Sequence, residues 1–378
     1  MNKILLSVVI PTYNRYEYLK GCLEATVTID SAELEIIVHD NTEDNSEILP
    51  FISSLEDSRI KYYHEKKHIS VVENSDRGVS YATGDYVCMI GDDDTICESM
   101  LYAARYCRDN KIDACMALIP GYNWPDMTFR GEAEPNLFYT EKGDNSVTEI
   151  DAKEILKRVV KTAEGLPLEM PRVYHGLVSK ECLERIKERC GTYFPGPSPD
   201  MANATAVSLE AQKTVFISDY LMVSGYGYKS ARGEGNRKAH FGRISDKPWL
   251  PADTEEKWDI DIPKIFSGET IFAQSLINAL KEMGQKSIAK EYNYGSLYAQ
   301  FLSHHRETAG YMIRFCFARP YRVVWMISGI FERLRVRKEI LSSRGEKYYL
   351  QESSIRTLND AKNYTDSLRA ELNLGQYE

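Results

Sequence analysis

Tyr86-Val87-Cys88-Met89-Ile90-Gly91-Asp92-Asp93-Asp94 is the stretch that decides the fold. Five largely apolar residues read as a buried strand, and a glycine followed by three carboxylates ends it. Adjacent carboxylates repel one another unless something positive neutralises them. A hard divalent cation with oxygen ligands, Mg2+ or Mn2+, is the natural counter-charge, and it can clamp a diphosphate in turn. A solvated acidic turn in which Asp94 caps the following helix is the competing reading.

Working outward toward the amino terminus, similar units repeat. Leu5–Ile10 is a short apolar run stopped by Pro11, and Glu35–His39 is a second one that ends in the polar cluster Asp40–Asn45. A third strand is expected over Ile60–Tyr63, preceded by a helix around Ser46–Leu55. Between the strands, Asn14 with Glu17, Ser70 with Glu73 and Thr95 with Glu98 have the spacing of capping boxes. They predict helices over Arg15–Ala25, from Ser70 to Thr83-Gly84, and from Thr95 to about Cys107. Strands alternating with helices imply an α/β fold with a mostly parallel sheet and helices on both faces. Ligands of such sheets bind beyond the carboxyl ends of the strands, where the three polar clusters lie.

Toward the carboxyl terminus, Ile119–Tyr139 is irregular, Asp151–Lys161 and Lys180–Cys190 are helical in pattern, and the turn-rich Gly191–Pro199 leads into a helix over Met201–Ala211. Val215–Val223 reads as a late strand, and Asp253–Asp261 as a linker. The division expected is a catalytic domain over 1–245 and a helical extension over 246–378.

The chain of 378 residues has a net charge of -9, which speaks against nucleic acid as a partner. Its eight cysteines form no CxxC pair, and the opening MNKILLSVVIPTYNR lacks the pattern of a signal peptide. Reduced thiols and a cytoplasmic location follow as expectations. No stretch reaches the ~20 apolar residues that span a bilayer.

Ser7–Arg15, Glu35–Asn41 and Ala82–Tyr86 running into Gly91–Asp94 together resemble the family-2 glycosyltransferases of GT-A fold, the Rossmann-like fold of nucleotide-diphospho-sugar transferases. The likeness is good over the first hundred residues and weaker to about 245. It implies that Pro11, Thr12, Tyr13 and Arg15 border the nucleotide, that Asp40 accepts a hydrogen bond from the base, usually uracil, and that Asp76 lies in the donor-site helix. Asp93 matches the metal-binding second carboxylate of the DxD motif. Gly91 stands where that motif has its first Asp, so Asp92, on the donor side, and Asp94, as a second metal ligand, are the candidates to assist Asp93. The family's catalytic base is a carboxylate about a hundred residues later. Asp200 in Ser198-Pro199-Asp200 is the candidate, with helix N-capping as its other reading; Glu169 and Asp219 are substitutes.

The resemblance thus implies transfer of a sugar from a nucleotide-sugar donor, with inversion and with Mg2+ or Mn2+, to a glycan or lipid-linked acceptor in surface polysaccharide synthesis. Two other readings stay open at this point: a sugar nucleotidyltransferase, against which the glycine-free Pro11–Asn14 counts, and a non-catalytic nucleotide- or carbohydrate-binding protein. The loop Lys229–His240, with Arg232, Arg237 and Lys238, is placed to close over a diphosphate, and His240 is weighed as an extra metal ligand. His175, His304 and His305 read as structural or exposed. Residues 311–338 mix aromatic side chains with arginines, and this predicts an amphipathic segment able to lie on an anionic membrane surface, peripheral to the inner face of the cell membrane. A helix packed on the catalytic domain is its alternative.

Overall fold

Every apolar run of the first ninety residues becomes a strand of one sheet. The computed structural model describes residues 3–127, 136–230, 240–342, 350–375 and 377, with the backbone alone for 335–342. β1 (Leu6–Thr12), β2 (Leu34–Asp40), β3 (Ile60–His64) and β4 (Tyr86–Met89) are joined through α1 (Tyr16–Thr26), α2 (Ile48–Ser54) and α3 (Val71–Ser80). All their pairings are parallel, as apolar strands linked by helices require.

Beyond β4 come β5 (Thr95–Ile96), α4 (Ser99–Asp109), β6 (Ala114–Leu118), β7 (Gly121–Asn123), β8 (Leu137–Tyr139) and β9 (Val147–Glu149). They are followed by α5 (Ala152–Thr162), β10 (Leu177–Ser179), α6 (Lys180–Cys190), α7 (Pro199–Glu210), β11 (Thr214–Tyr220) and β12 (Met222–Tyr226). The main sheet has the order β3-β2-β1-β4-β10-β6-β11-β9. The sheet is therefore mixed, because β10 runs antiparallel between β4 and β6.

None of the three expected capping boxes forms in full. Asn14 takes a positive φ of 56°, and its N–H donates to Thr42 Oγ1, so the turn after β1 follows that contact and α1 begins without a side-chain cap. Thr95 is drawn into β5 by pairing with β12, which delays α4 to Ser99. At Ser70 the side chain accepts from Glu73 N–H, and Asp151 caps α5 in the same way. The expected late strand is two, β11 and β12, in different sheets.

Helices cover both faces of the main sheet. One apolar cluster packs α1 and α4 with Leu6, Val8, Ile36 and Cys88; the other packs α6 and α7 with Val9, Ile37, Val87 and Met89. The alternation along β1 sends successive side chains to opposite cores.

The later residues are built into this body. α8 (Gly268–Glu282), α9 (Lys286–Ala289), α10 (Tyr294–His304), α11 (Ala309–Phe317) and α12 (Pro320–Ser342) form a helical layer whose core includes Leu156, Val159, Met201 and Ala204 from α5 and α7. Asp253–Asp261, expected as a linker, is instead clasped: Asp259 pairs with Lys281 and Asp261 with Arg322. β13 (Leu350–Glu352) pairs with β8, and α13 (Leu358–Glu371) returns to the sheet. There Arg369 grips Asp219 of β11 through two hydrogen bonds of 2.7 and 2.8 Å.

Candidate active site

β4 ends in the core, so the turn that follows it must dispose of three carboxylates in a nearly dry place. Asp92, Asp93 and Asp94 are 0%, 4% and 1% exposed. Burial of ionised carboxylates is costly unless each is paired, and the three are treated differently.

Asp94 is consumed by the protein itself. Its Oδ2 accepts from Gly91 N–H and from His175 Nε2, and its Oδ1 from Gly225 N–H of β12, each at 2.7 Å. These bonds fix the shape of the turn and engage both oxygens of Asp94 within the protein. Gly91 is part of the same device. A Cβ there would sit 2.7 Å from Asp93 Oδ1 and 3.0 Å from Asp94 Oδ2, so an aspartate at that place would require both carboxylates to shift.

Asp92 turns toward β1. Its Oδ2 accepts from Thr12 Oγ1 at 2.6 Å and Arg15 Nε at 3.2 Å, while Oδ1 lies 2.5 Å from the Arg15 guanidinium as an ionic contact without hydrogen-bond alignment. Burial would lower the Arg15 pKa, but Asp92 and Asp93 outweigh it and hold the guanidinium charged.

Asp93 is left over. Its Oδ1 is 3.9 Å from Arg15, and its buried Oδ2 has no hydrogen-bond partner. Burial, only partly offset by Arg15 and reinforced by Asp94 and Asp92, pushes its carboxyl up to about 8. An orphaned carboxylate oxygen of this kind fits a divalent cation. No group of three or more His, Cys, Asp or Glu side chains suited to a metal occurs among the described residues. Mg2+-type sites on diphosphates commonly use one or two carboxylates and complete their shell with phosphate and water, so Asp93 alone suits that mode.

The opposite wall comes from a segment whose part sequence reasoning missed. Residues 172–175 run beside β4: Met89 N–H donates to Val173 O and His175 N–H to Met89 O. Tyr174 and His175 are thereby carried to the acidic turn, and Arg172 to the side of Asp200. His175 takes a left-handed backbone with φ 62°, and its ring stacks on Tyr174 at 3.8 Å. Such a conformation at a non-glycine residue persists where its surroundings enforce it. The signal in the sequence was slight, a His-Gly pair after a run of loop residues.

Asp200 stands in the first turn of α7, behind Pro199, and among the described residues its carboxylate makes no side-chain hydrogen bond. Burial raises its pKa against the opposing charges of Arg172 and His175, and Asp94 raises it further. One turn along, Asn203 accepts from Val173 N–H and donates to Tyr193 O, so α7 and the 172–175 segment are held together. The N-cap reading fails, because Ser198 is the N-cap and Asp200 lies inside the helix. Neither substitute competes: Glu169 pairs with Arg158 at the surface, and Asp219 is the buried partner of Arg369.

Two donor-side candidates have partners within the protein. Asp40 is fully buried, with Oδ2 accepting from the Tyr16 and Tyr62 hydroxyls and Oδ1 from Thr42 N–H, so it props the loop after β2. Asp76 binds Lys187, Thr192 and Tyr193 N–H, and so clips α3 to the end of α6. Tyr13, by contrast, is 45% exposed beyond Pro11 and Thr12, with its ring 5.2 Å from that of His68. Arg232, Arg237 and Lys238 of the basic loop lie outside the described residues. The ring of His240 packs edge-on to Phe266.

The acidic turn after β4 lies inside a match found over residues 7–149 to the family described as glycosyl transferase family 2. Over those residues the chain is similar to the family 2 glycosyltransferases. It is 26% identical over 265 residues to glycosyltransferase GlyG of Streptococcus pneumoniae serotype 4, covering 70% of this chain and 78% of that one. Over 98 residues it is 32% identical to the GalNAc(5)-diNAcBac-PP-undecaprenol beta-1,3-glucosyltransferase of Campylobacter jejuni, covering 25% of this chain and 32% of its relative. S. aureus TarS 1–349, solved in complex with UDP-GlcNAc, superposes with a TM-score of 0.49 at 16% identity, over 80% of this chain and 72% of TarS. The fold is α/β, as the first hundred residues imply, with a helical carboxyl-terminal region. No helix among the described residues is long and apolar enough to cross a membrane.

Proposed function

We propose that this glycosyltransferase moves a sugar from a nucleoside diphosphate sugar, a UDP-sugar foremost, to an acceptor hydroxyl with inversion at the anomeric carbon. The observation that carries the reading is a pair of incompletely partnered carboxylates, the buried Asp93 and the half-buried Asp200, both close to Tyr174.

In this reading Asp200 is the base. Its raised pKa suits a group that takes a proton near neutral pH. The acceptor oxygen bonds to the anomeric carbon as its proton passes to Asp200, and the bond from that carbon to the diphosphate breaks. Arg172 and His175 steady the ionised carboxylate before the proton arrives. On the donor side, Tyr13 offers its ring to the base, and Arg15 holds Asp92 and Asp93 in register. Asp93 would hold the divalent ion, which when bound supplies positive charge to the leaving diphosphate.

The acceptor proposed is a glycan or lipid-linked saccharide of a surface polysaccharide. An acceptor anchored in a bilayer has to be met at a protein surface, for which the helices over 311–338 are the candidate.

A thermal-shift series with UDP, GDP, CDP and TDP, each with and without Mn2+, tests the donor half. One nucleotide should raise the melting temperature, more with Mn2+, and Asp93→Ala should abolish the metal-dependent part. Absence of any shift, or a shift untouched by Asp93→Ala, would sink the assignment of Asp93.

A further inference from the structure

Exposed apolar side chains are gathered in one part of the molecule. Of the fourteen large apolar residues that are well exposed among those described, nine lie between Ile260 and Leu334. Scattered single residues would need no explanation, but a cluster does.

Six of them stand on α12, and five of these form one stripe. Val324, Ile327, Ile330, Phe331 and Leu334 are between 41% and 69% exposed. At about 100° per residue they fall within a sector of roughly 120° on one side of the helix. Ile313 and Phe317, 52% and 69% exposed, are one turn apart on the neighbouring α11.

The stripe faces out because the other side of α12 is committed. Arg322 is 3% exposed, reaches Asp261 at 2.9 Å and the Phe315 carbonyl at 3.0 Å, and lies over the Phe315 ring. Glu332 accepts from Asn293 and Ser296 of α10. Between them Gly329 meets Gly295 so closely that a Cβ at Gly329 would lie 2.0 Å from the Gly295 carbonyl oxygen. A helix pinned at three points over three turns cannot roll its apolar side inward.

Charge names the occupant. Residues 309–338 carry seven arginines and lysines against a single glutamate, in a chain whose net charge is -9. A second copy docking stripe to stripe would bring two basic segments together, whereas a surface of negative headgroups over an apolar interior matches both features.

We infer that the outer side of α11 and α12 is a docking surface for an anionic lipid bilayer, with α12 lying in the plane of the headgroups. The surface stands on its own observations and does not depend on the reaction assigned to the site.

Sedimentation of the full chain with phosphatidylcholine vesicles, with and without added phosphatidylglycerol, tests this. The protein pellets with the anionic vesicles and stays in solution with the neutral ones. Arg314→Gln weakens the partition roughly fivefold, as expected for one basic side chain near a charged surface. Ile327→Asp/Phe331→Asp abolishes it while the melting temperature and circular dichroism stay those of the wild type. Ile327→Ser/Phe331→Ser, a milder pair, weakens it at least tenfold and serves if the aspartates disturb folding. Failure of the wild type to pellet with anionic vesicles overturns the inference, and a dimer in light scattering would then assign the stripe to a second copy. Equal pelleting with neutral vesicles, or of the folded double variants, overturns it as well.

Discussion

The edge of the sheet buries charge, and the outer side of α12 exposes apolar surface. Ordinary folding selects against both, since buried carboxylates lose hydration and exposed apolar side chains lose the gain of burial. The sheet also contains the ordinary solution, in Asp219 and Arg369. There two buried charges satisfy each other through a two-pronged contact, with the Tyr377 hydroxyl as a further donor at 2.6 Å. Where the protein needs only itself, its groups are partnered from within. At Asp93, Asp200 and the Val324–Leu334 stripe the partners are incomplete, and these are the places where another molecule is expected to finish the arrangement.

The largest effect should come from Asp200→Asn. Loss of a general base lowers turnover by roughly 10²–10⁴-fold. Melting temperature should not fall, because the amide removes a half-buried charge that the protein meets only in part. Steady-state transfer assays beside thermal melts decide between a base and a structural carboxylate; a variant that unfolds and is merely less abundant would favour the structural role. With the wild-type enzyme the rate should rise with pH through the raised Asp200 value, which places the acid limb of kcat/KM above the ordinary carboxylate range near ~4.

Arg369→Met should give the reverse pattern. It leaves Asp219 buried without its cation, for which the expected loss is about 3–5 kcal/mol of stability in urea unfolding. A loss under about 1 kcal/mol would mean that α13 contributes little to the sheet and that water satisfies Asp219. Donor affinity per folded molecule should stay unchanged, since Asp219 makes no contact with the acidic turn.

Asp93 falls between these two. Its carboxyl titrates about 8 when folded and near ~3.9 when unfolded. A group whose folded pKa is raised adds stability that is complete below the unfolded value and is lost as pH climbs through the folded one. The metal-free protein should therefore melt a few degrees lower at pH 9 than at pH 6, and Asp93→Asn should flatten that slope. Mn2+ with the matching nucleotide should stabilise most at the alkaline end, where no proton competes for the carboxylate. A slope unchanged in Asp93→Asn would place the titration elsewhere.

What could be read in the sequence followed from local rules. Leu6–Thr12, Leu34–Asp40 and Tyr86–Met89 are apolar runs that end in polar turns, so strands, order of elements and the position of the acidic turn were all legible. Individual side-chain duties were not, because they are set by partners distant in the chain. Asp40 looks like a ligand-binding carboxylate, and only the fold shows Tyr16 and Tyr62 closing over it. Asp94 looks like a metal ligand, and only the fold shows Gly225, 131 residues away, donating to it. Thr95 carries a capping pattern that pairing with β12 overrides. His175 is ordinary in sequence and acquires its place only because residues 172–175 lie along β4.

The smallest effect should be on the stability of the stripe itself. Serine at Ile327 or Phe331 removes little that the folded protein buries, so unfolding free energy should stay within about 0.5 kcal/mol of the wild type. Alanine at Phe301 of α10, fully buried in the core that α12 covers, should cost about 3–5 kcal/mol in the same urea titration. The contrast separates two accounts of the exposed residues. If they pack against part of the chain in solution, the serine variants will lose stability as core variants do. If they wait for an external surface, they will be silent in the isolated protein and will register only when vesicles are present, which makes stability and partition independent readings of the same side chains.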